Sequence, residues 1–363
     1  MIDFKSPKLV IETSKVQENQ VSWQSPSNLA IIKYWGKHGV QLPRNPSISF
    51  TLDKAYTETT LSYAPKTGVD QGIELEFYFE GKENLPFREK VVRFLQSLNE
   101  VFPFLRQVKL VIESKNSFPH SAGIASSASS MSALSLCLCS MEHQLFGSLP
   151  NDLEFRRKAS YISRLGSGSA CRSIYAVMGL WGATGEVAES SDLYAIPYEE
   201  ELHPIFSTFH DDILIVSQGE KRVSSRAGHE LMEGNIYADS RYKQARQRMH
   251  HLLGALRSGD LEVFGQITES EALTLHALMM TSNPPYILMH PNSLLLIEKV
   301  QMYRRETGNP LYFSLDAGPN LHLLYPDTIK ESVQSFIKNE LLQYCEAGQW
   351  IADQVGKGPL QLK

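Results

Sequence analysis

The chain has 363 residues, an ordinary composition for a globular protein and a formal net charge of −5 at pH 7. Such a length allows a large buried core and favours two domains over one. The slight acidic excess argues against a nucleic-acid-binding protein and against a general binder of membrane surfaces, so an acidic substrate would need a local basic pocket. No apolar stretch is long enough to span a bilayer, and residues 1–20 lack the apolar segment of a signal peptide.

Cysteine and histidine spacing gives no sign of a metal site. The chain contains four cysteines: Cys137, Cys139, Cys171 and Cys345. They form no CxxC pair and lack the spacing of zinc ligands, so we expect reduced, buried thiols of a cytoplasmic protein. The histidines show neither an HxxxH nor an HExxH pattern.

The first half of the chain alternates between strands, turns and a few helices. Alternating or β-branched stretches predict strands over residues 28–36, 47–53, 56–63, 73–80 and 107–114. Helical patterns cover residues 87–101, 126–146 and 151–164.

A loop of small residues follows the last of these helices, and it suits an anion. Residues 164–173 read Arg-Leu-Gly-Ser-Gly-Ser-Ala-Cys-Arg-Ser, and the apolar run Ile174 to Trp181 is interpreted as the body of a helix. Ser167 and Ser169 would then lie beside a helix N-terminus, where free backbone N–H groups favour negative charge. Arg172 adds a permanent charge on a planar fork that matches a carboxylate or phosphate.

The second half predicts a sheet with helices on one face, after a plausible domain junction at residues 186–204. The predicted strands lie over residues 212–217, 311–315 and 320–324. The predicted helices lie over residues 237–258, 260–280, 292–306 and 327–343.

A serine-rich helix start is the best candidate for a phosphate site, since the chain has no Walker A motif and no GxGxxG after a strand. Residues 116–130 read Asn-Ser-Phe-Pro-His-Ser-Ala-Gly-Ile-Ala-Ser-Ser-Ala-Ser-Ser. Ser126 and Ser127 occupy the first helical turn, where backbone N–H groups and hydroxyls suit a triphosphate and one hydroxyl suits Mg²⁺. The alternative is a serine N-cap of an ordinary helix.

Three other positions have chemical potential, each with a plain alternative. Lys33 ends an apolar strand, where it is either a partly desolvated catalytic cation or a lysine that snorkels to solvent. Residues 221–228 form a basic, hydroxyl-rich turn that suits phosphates or is a solvated charge cluster. Asp316 follows an apolar strand and stands shortly before Gly-Pro. It is a candidate general base, a candidate metal ligand or an Asx-turn residue.

The order of these motifs resembles one family. KYWGK, FPxxAGxASSAS, GSGSACRS, VSSRxG and DAGPN follow one another from residue 28 to about residue 325. This order resembles the mevalonate diphosphate decarboxylases of the GHMP small-molecule kinase superfamily. The serine-rich element alone indicates only the superfamily, whereas GSGSACRS together with DAGPN is much more specific to the decarboxylase branch.

The resemblance implies an α+β fold of the GHMP kinase type. An N-terminal domain like the second domain of ribosomal protein S5 precedes a ferredoxin-like C-terminal α/β sandwich, with the active site in the cleft between them. We expect an N-terminal extension over residues 1–20, the ATP-binding domain over 21–204 and the C-terminal domain over 205–363. A cytoplasmic homodimer is also implied, without a nucleic-acid or membrane partner.

The implied reaction converts mevalonate 5-diphosphate, with ATP and Mg²⁺, to isopentenyl diphosphate through 3-phosphorylation and loss of phosphate and CO₂. The implied catalytic residues are Asp316, Arg172 and Lys33. The implied substrate-binding residues are Tyr34, Lys37, Ser167, Ser169, Arg172, Ser225 and Arg226. The implied ATP-binding residues are Asn116, Gly123, Ala125, Ser126 and Ser127, with Ser127 also the candidate Mg²⁺ ligand.

Two alternatives remain at this stage. The first is a kinase or decarboxylase of the same superfamily that acts on mevalonate or its monophosphate. The second is a non-catalytic binding protein on the same fold. The sequence departs from the family pattern at His38-Gly39, where an acidic residue is usual, at Pro46, and at His120-Ser121.

Overall fold

Strands and helices alternate along the chain to form two principal sheets with helical layers. The computed structural model describes residues 4–66, 68, 72–119, 124–199, 201–219 and 223–363. The strands of this part of the chain are β1 Asn19–Ile32, β2 Lys37–His38, β3 Leu42–Pro43, β4 Ser47–Pro65, β5 Glu74–Phe79, β6 Lys82–Glu83, β7 Val108–Asn116, β8 Met178–Trp181, β9 Ala195–Pro197, β10 His210–Leu214, β11 Tyr312–Ser314, β12 Leu321–Tyr325, β13 Trp350–Gln354 and β14 Leu360–Gln361. Its α-helices are α1 Leu85–Ser97, α2 Ser126–Phe146, α3 Asp152–Gly166, α4 Ser225–Glu230, α5 Ala238–Ser258, α6 Leu261–Met280, α7 Pro291–Thr307 and α8 Lys330–Phe336.

The larger sheet has the strand order β14-β1-β4-β7-β5-β6, with β8 beside the first part of β4 and β9 beside β8. All its pairings are antiparallel except that of β5 with β7. The smaller sheet has the order β11-β12-β10-β13 and is antiparallel, while β2 and β3 form a short ribbon. The α+β fold predicted from the sequence is confirmed.

Strand β4 is one long strand where the sequence predicted two. Its ladder with β1 shifts register near residues 52–55, which leaves backbone N–H groups there without a partner on β1. The carboxylate of Asp353, on β13, accepts hydrogen bonds from Asp53 N at 3.0 Å, Lys54 N at 2.8 Å and Ala55 N at 2.8 Å. A carboxylate from the smaller sheet thus satisfies the unpaired N–H groups of β4, so the strand continues through the irregular region.

Most predicted elements of the first half are confirmed, including the helix over 126–146 and the strand over 73–80 within a residue. The helix predicted for Ile174 to Trp181 is wrong: a 3-10 helix covers Gly168–Ile174, and β8 pairs with β4 from Ser47 to Phe50. This run is apolar almost throughout, so its periodicity does not distinguish a helix from a buried strand. It forms a strand because the first part of β4 has an edge with which it can pair.

Differences in the second half lie mainly at its end, although β10 covers His210–Leu214 where a strand over 212–217 was predicted, and α4 was not predicted. The helix predicted over 327–343 is α8 followed by a π-helical turn at Ile337–Leu341 and 3-10 turns. Strands β13 and β14 were not predicted, and β14 pairs with β1 of the larger sheet. The division of the chain at residue 204 stays a prediction.

The four cysteines are free and buried, as predicted. In the described part of the chain, no helix is both long and apolar enough to cross a membrane.

A buried carboxyl group in the smaller sheet makes stability depend on pH. Asp212, on β10, is fully buried; its Oδ2 accepts a hydrogen bond from the Tyr325 hydroxyl at 2.5 Å, and its Oδ1 has no partner among the described residues. Burial raises the pKa of Asp212 to about 7, with Asp211 adding to the rise and the Tyr325 hydrogen bond opposing it. The folded state therefore favours the protonated acid.

We expect Asp212→Asn to become more stable relative to the parent as pH rises. Because the pKa is raised, the protonated Asp212 stabilises the folded parent. This contribution is fully present below about pH 4 and is lost as pH rises through about 7. The non-titrating amide avoids this loss, so the difference in unfolding free energy should shift by about 2 kcal/mol toward the variant between pH 5 and pH 8. Urea unfolding at the two pH values measures it, and a pH-independent difference would contradict the assignment.

Candidate active site

A cavity of about 510 Å³ lies where the end of β1, the start of α2, the 3-10 helix over Gly168–Ile174, α4 and the end of β11 meet. The predicted site residues on its wall are Lys33, Tyr34, Lys37, Ala125, Ser126, Ser127, Ser167, Ser169, Arg172, Ser225, Arg226 and Asp316. Asn116 does not line the cavity, and Gly123 lies outside the described residues. The structure thus brings together residues from five separate motifs.

An ion pair between Lys33 and Asp316 joins the two sheets at this cavity. Lys33 follows β1 directly, Asp316 comes two residues after β11, and Lys33 Nζ lies 2.9 Å from Asp316 Oδ1. The ammonium also donates to Ser314 Oγ at 3.0 Å. The lysine side chain is only 2% exposed, whereas the aspartate is 23% exposed. The cation is therefore desolvated, and the carboxylate is the partner that faces the cavity.

Helix α6 holds the backbone of both members of the pair. Glu271 Oε2 accepts a hydrogen bond from Lys33 N at 2.9 Å, and His276 Nε2 lies 3.0 Å from the carbonyl oxygen of Asp316. These two contacts come from one helix, so α6 sets the separation between the end of β1 and the end of β11. Sequence analysis did not identify either residue, because each acts on a backbone group far away in the chain.

Glu271 is itself held by two arginines from α5. Arg241 donates to both carboxylate oxygens, at 2.6 and 2.5 Å, and Arg248 donates to Oε1 at 2.8 Å. Burial would raise the pKa of Glu271, but the charge of Arg241 and the hydrogen bonds from both arginines outweigh it and lower the pKa. The group is therefore an ionised, buried carboxylate with its charge compensated.

Arg172 is buried in the wall of the cavity and makes three different hydrogen bonds. Its Nε donates to Ser49 Oγ, its Nη1 to Ser47 Oγ at 2.6 Å and its Nη2 to Asn28 Oδ1 at 3.4 Å. Burial lowers the pKa of the guanidinium, while the negative charge of Asp316 acts in the opposite sense. The alternation Ser47-Ile48-Ser49 on β4 was the available sign that two hydroxyls share one face.

Tyr34 explains why a glycine stands at position 168. A Cβ there would lie 2.8 Å from the Tyr34 ring, so the close approach requires a residue without a side chain. The ring packs against Trp181, and its hydroxyl is buried without a hydrogen-bond partner among the described residues. Burial raises the pKa of this phenol, so it stays neutral. A ligand in the cavity is the natural partner for the hydroxyl.

Another part of the cavity wall, formed by the end of the KYWGK motif and α4, has the more exposed cations. Lys37 and Arg226 lie here, together with Ser225 and Ser224. Partial burial and then the charge of Arg226 lower the pKa of Lys37. Sequence analysis predicted Lys37, Ser225 and Arg226 but missed Ser224, whose hydroxyl accepts from Ala227 N at 3.2 Å and caps α4.

The first turn of α2 connects this cavity with a second one of about 280 Å³. Ser126 and Ser127 line both cavities, and Ser127 Oγ lies 3.2 Å from Ser167 Oγ. The second cavity is largely apolar and includes three aromatic side chains, Phe77, Phe79 and Phe87. Asn116 lines neither cavity; its Oδ1 accepts from Thr57 Oγ1 at 2.8 Å.

The other residues on the wall of the larger cavity that sequence analysis did not predict are Asn28, Ala30, Trp35, Gln41, Gly166, Gly168, His229, Leu275 and Ala317. Trp35, Gly166, Gly168 and Ala317 lie within the predicted motifs, and the two glycines were the available sign of a close backbone approach. The type and spacing of the remaining residues do not distinguish them from packing residues.

The α+β fold, the serine-bearing helix start and the lysine–carboxylate centre define the class as a GHMP kinase-type enzyme. Solved structures agree with this class. That of mevalonate diphosphate decarboxylase from Staphylococcus aureus has a TM-score of 0.80 at 28% identity, covering 96% of this chain and 99% of that one. A structure described as MDDEF in complex with MVAPP, AMPPCP and magnesium has a TM-score of 0.79 at 27% identity, covering 96% and 100%.

Sequence comparisons identify the family. Residues 25–194 match the diphosphomevalonate decarboxylase-like N-terminal domain, and residues 212–359 match the mevalonate 5-diphosphate decarboxylase C-terminal domain. A diphosphomevalonate decarboxylase from Ganoderma lucidum is 32% identical over 337 residues, covering 88% of this chain and 82% of that protein. The chain belongs to the diphosphomevalonate decarboxylase family, and the resemblance predicted from its motifs is confirmed.

We expect Arg172→Lys to lose activity although it keeps the positive charge. One ammonium on a flexible stem cannot reproduce three hydrogen bonds from a planar fork to Ser47, Ser49 and Asn28. The expected loss of kcat/KM is on the order of a hundredfold, because small displacements of a positioning group are costly. Steady-state kinetics measure it, with circular dichroism to verify the fold. Kinetics close to those of the parent would contradict a role for the fork.

Proposed function

We propose that the chain catalyses the ATP-dependent decarboxylation of mevalonate 5-diphosphate to isopentenyl diphosphate. The observation that supports this most is the Lys33–Asp316 pair, whose carboxylate faces a cavity with cations on its wall. A tertiary alcohol is a poor nucleophile and needs a base within hydrogen-bond reach. The same carboxylate suits the positive charge that develops later at C3.

The cavity provides complementary positions for the two ends of the substrate. The diphosphate lies against Lys37 and Arg226, where the cations are the more accessible ones. The carboxylate lies toward Arg172, and the 3-hydroxyl lies at Asp316. Tyr34 donates its unpaired hydroxyl to the substrate. Each anionic group thereby has a cation or a donor.

ATP occupies the region around the start of α2. Its phosphates lie over the first turn, near Ser126 and Ser127, where no side chain of the described residues caps the helix and the first backbone N–H groups suit anions. Its base enters the second, apolar cavity, with aromatic side chains such as Phe87 on the wall. Because these serines line both cavities, the terminal phosphate is directed toward the substrate hydroxyl.

The reaction then proceeds in two stages. Asp316 accepts or orients the proton of the 3-hydroxyl; the oxygen bonds to the γ-phosphorus, and the bond from that phosphorus to the β–γ bridging oxygen breaks to release ADP. In the second stage the C3–O bond breaks and inorganic phosphate leaves. The electrons of the bond to the carboxyl carbon form the new double bond, and CO₂ is released. A proton taken up by Asp316 passes on to a phosphate oxygen, which leaves the carboxylate ionised to stabilise the positive charge that grows at C3. Lys33 stabilises the negative charge on the transferred phosphoryl group.

The candidate protein ligands are sufficient for Mg²⁺ only when the phosphates of ATP supply further oxygen ligands. Among the described residues, no group of three or more His, Cys, Asp or Glu side chains could hold a metal ion. The Ser127 hydroxyl is a suitable oxygen ligand at the junction of the two cavities, and Mg²⁺ usually takes its remaining ligands from phosphates and water. When bound, the ion neutralises charge on the β- and γ-phosphates.

The decisive test compares mevalonate 5-diphosphate with mevalonate 5-phosphate at equal concentrations of ATP and Mg²⁺. We expect ADP, inorganic phosphate and CO₂ in equal amounts from the diphosphate and little turnover of the monophosphate, since the latter engages fewer of the cations near Lys37. Release of ADP without CO₂ would identify a kinase instead. Binding of ATP without turnover of either compound would identify a non-catalytic protein.

We expect Asp316→Asn to lose most turnover, at least a hundredfold, because the amide keeps the shape but cannot accept the proton or carry negative charge. ATP affinity, measured by calorimetry, should stay within about twofold, since Asp316 lies away from the second cavity. Asp152→Asn, which removes an exposed carboxylate paired with Arg156, is the matched control. Activity within tenfold of the parent would show that another group is the base.

A further inference from the structure

His229 lies on α4 and faces the cavity, yet none of the steps above uses it. Its ring packs against two aromatic rings in tilted arrangements, with centroid distances of 4.3 Å to Tyr34 and 4.6 Å to Trp35. Its Nδ1 accepts a hydrogen bond from the backbone N–H of Gly36 at 3.0 Å. The ring is thus held in position and orientation by two ring contacts and by one hydrogen bond.

This hydrogen bond determines which ring nitrogen carries the proton. A backbone N–H can only donate, so Nδ1 is the acceptor and a neutral ring carries its hydrogen on Nε2. Burial, followed by the positive charge of Lys37, lowers the pKa of His229 to about 3, so the ring is neutral at physiological pH. No described residue pairs with Nε2.

The surroundings of the ring are those of an anion site. Lys37 is close enough to influence the ring electrostatically, and Lys37 in turn is influenced by Arg226 and Glu230. Tyr34 is the titratable group whose ring packs against the imidazole, and burial raises the pKa of that phenol and keeps it neutral. In such a site, a neutral N–H donor orients the bound anion, and its burial avoids the cost of desolvating another cation.

From these contacts we infer that His229 binds the substrate by donating a hydrogen bond from Nε2–H to its diphosphate group. The inference rests on the proposed function. It means that the diphosphate is bound by an uncharged, oriented hydrogen-bond donor as well as by cations. Because the ring is already fixed by Tyr34, Trp35 and Gly36, little conformational freedom is lost when the substrate binds.

Two substitutions separate this role from a structural one. His229→Asn can still place an oxygen near the Nδ1 position and accept from Gly36 N, but it cannot reach the Nε2 position. His229→Gln can place an amide N–H near the Nε2 position, but it does not reproduce the acceptor for Gly36. The substrate-binding role predicts that the asparagine variant is the worse one, and a purely structural role predicts the reverse order.

The expected result for His229→Asn is an increase of about tenfold or more in KM for mevalonate 5-diphosphate, larger than any change in kcat, as for loss of a hydrogen bond to a charged group. His229→Gln should recover most of this loss. His250→Asn, at an exposed histidine on α5, is the control. A greater loss in the glutamine variant, equal losses in both variants, or unchanged KM in both would overturn the inference.

The pH profile tests whether the donor is neutral. The ratio of kcat/KM between the parent and His229→Asn should stay constant from pH 6 to pH 8.5, because a ring with a lowered pKa does not titrate there. A ratio that falls as pH rises through about 6.5, the ordinary pKa of histidine, would indicate a cationic imidazolium and overturn the inference.

Calorimetric binding of inorganic pyrophosphate separates failure of this inference from failure of the proposed function, since it needs no turnover. Weaker binding by His229→Asn than by the parent supports the hydrogen bond even if mevalonate 5-diphosphate is not decarboxylated. Equal pyrophosphate affinity in the two proteins, with normal decarboxylation by the parent, overturns the role of His229 alone.

Discussion

The ion pair between Lys33 and Asp316 is the contact on which the arrangement of the site depends. Lys33 directly follows a strand of the larger sheet, and Asp316 follows a strand of the smaller one, so the pair forms only when the two sheets are correctly placed. An almost fully buried ammonium without its carboxylate would be costly. Helix α6 holds the backbone of both residues through Glu271 and His276. The geometry of the proposed reaction centre therefore depends on the correct placement of the two sheets.

The cavity uses two kinds of positive charge. Lys33 and Arg172 are almost fully buried and held by fixed hydrogen bonds, which suits groups that must stabilise charge where bonds change. Lys37 and Arg226 are more accessible, which suits the capture of a diphosphate from water. In the proposed function, this separation lets one cavity bind a highly charged substrate while only some of its cations are buried.

Most of the fold was predictable because local patterns and tertiary packing agree there. The helix over 126–146 has a serine-rich start and an apolar body, and the structure has the same bounds. Prediction was wrong for Ile174 to Trp181, where the pattern is equally compatible with a helix and with a buried strand. It was also wrong to divide β4 near residues 52–55, because the group that satisfies the irregular backbone there, Asp353, is about 300 residues away in the chain.

The sequence by itself determined the family, the set of motifs and the residues with chemical potential, because each motif is a short, contiguous pattern. Tertiary structure alone decided which of these residues meet, as when Lys33 pairs with Asp316. It also decided the supporting contacts of Glu271 and the donor orientation of His229. Such contacts join side chains to backbone groups in distant segments, and no local periodicity or spacing encodes them.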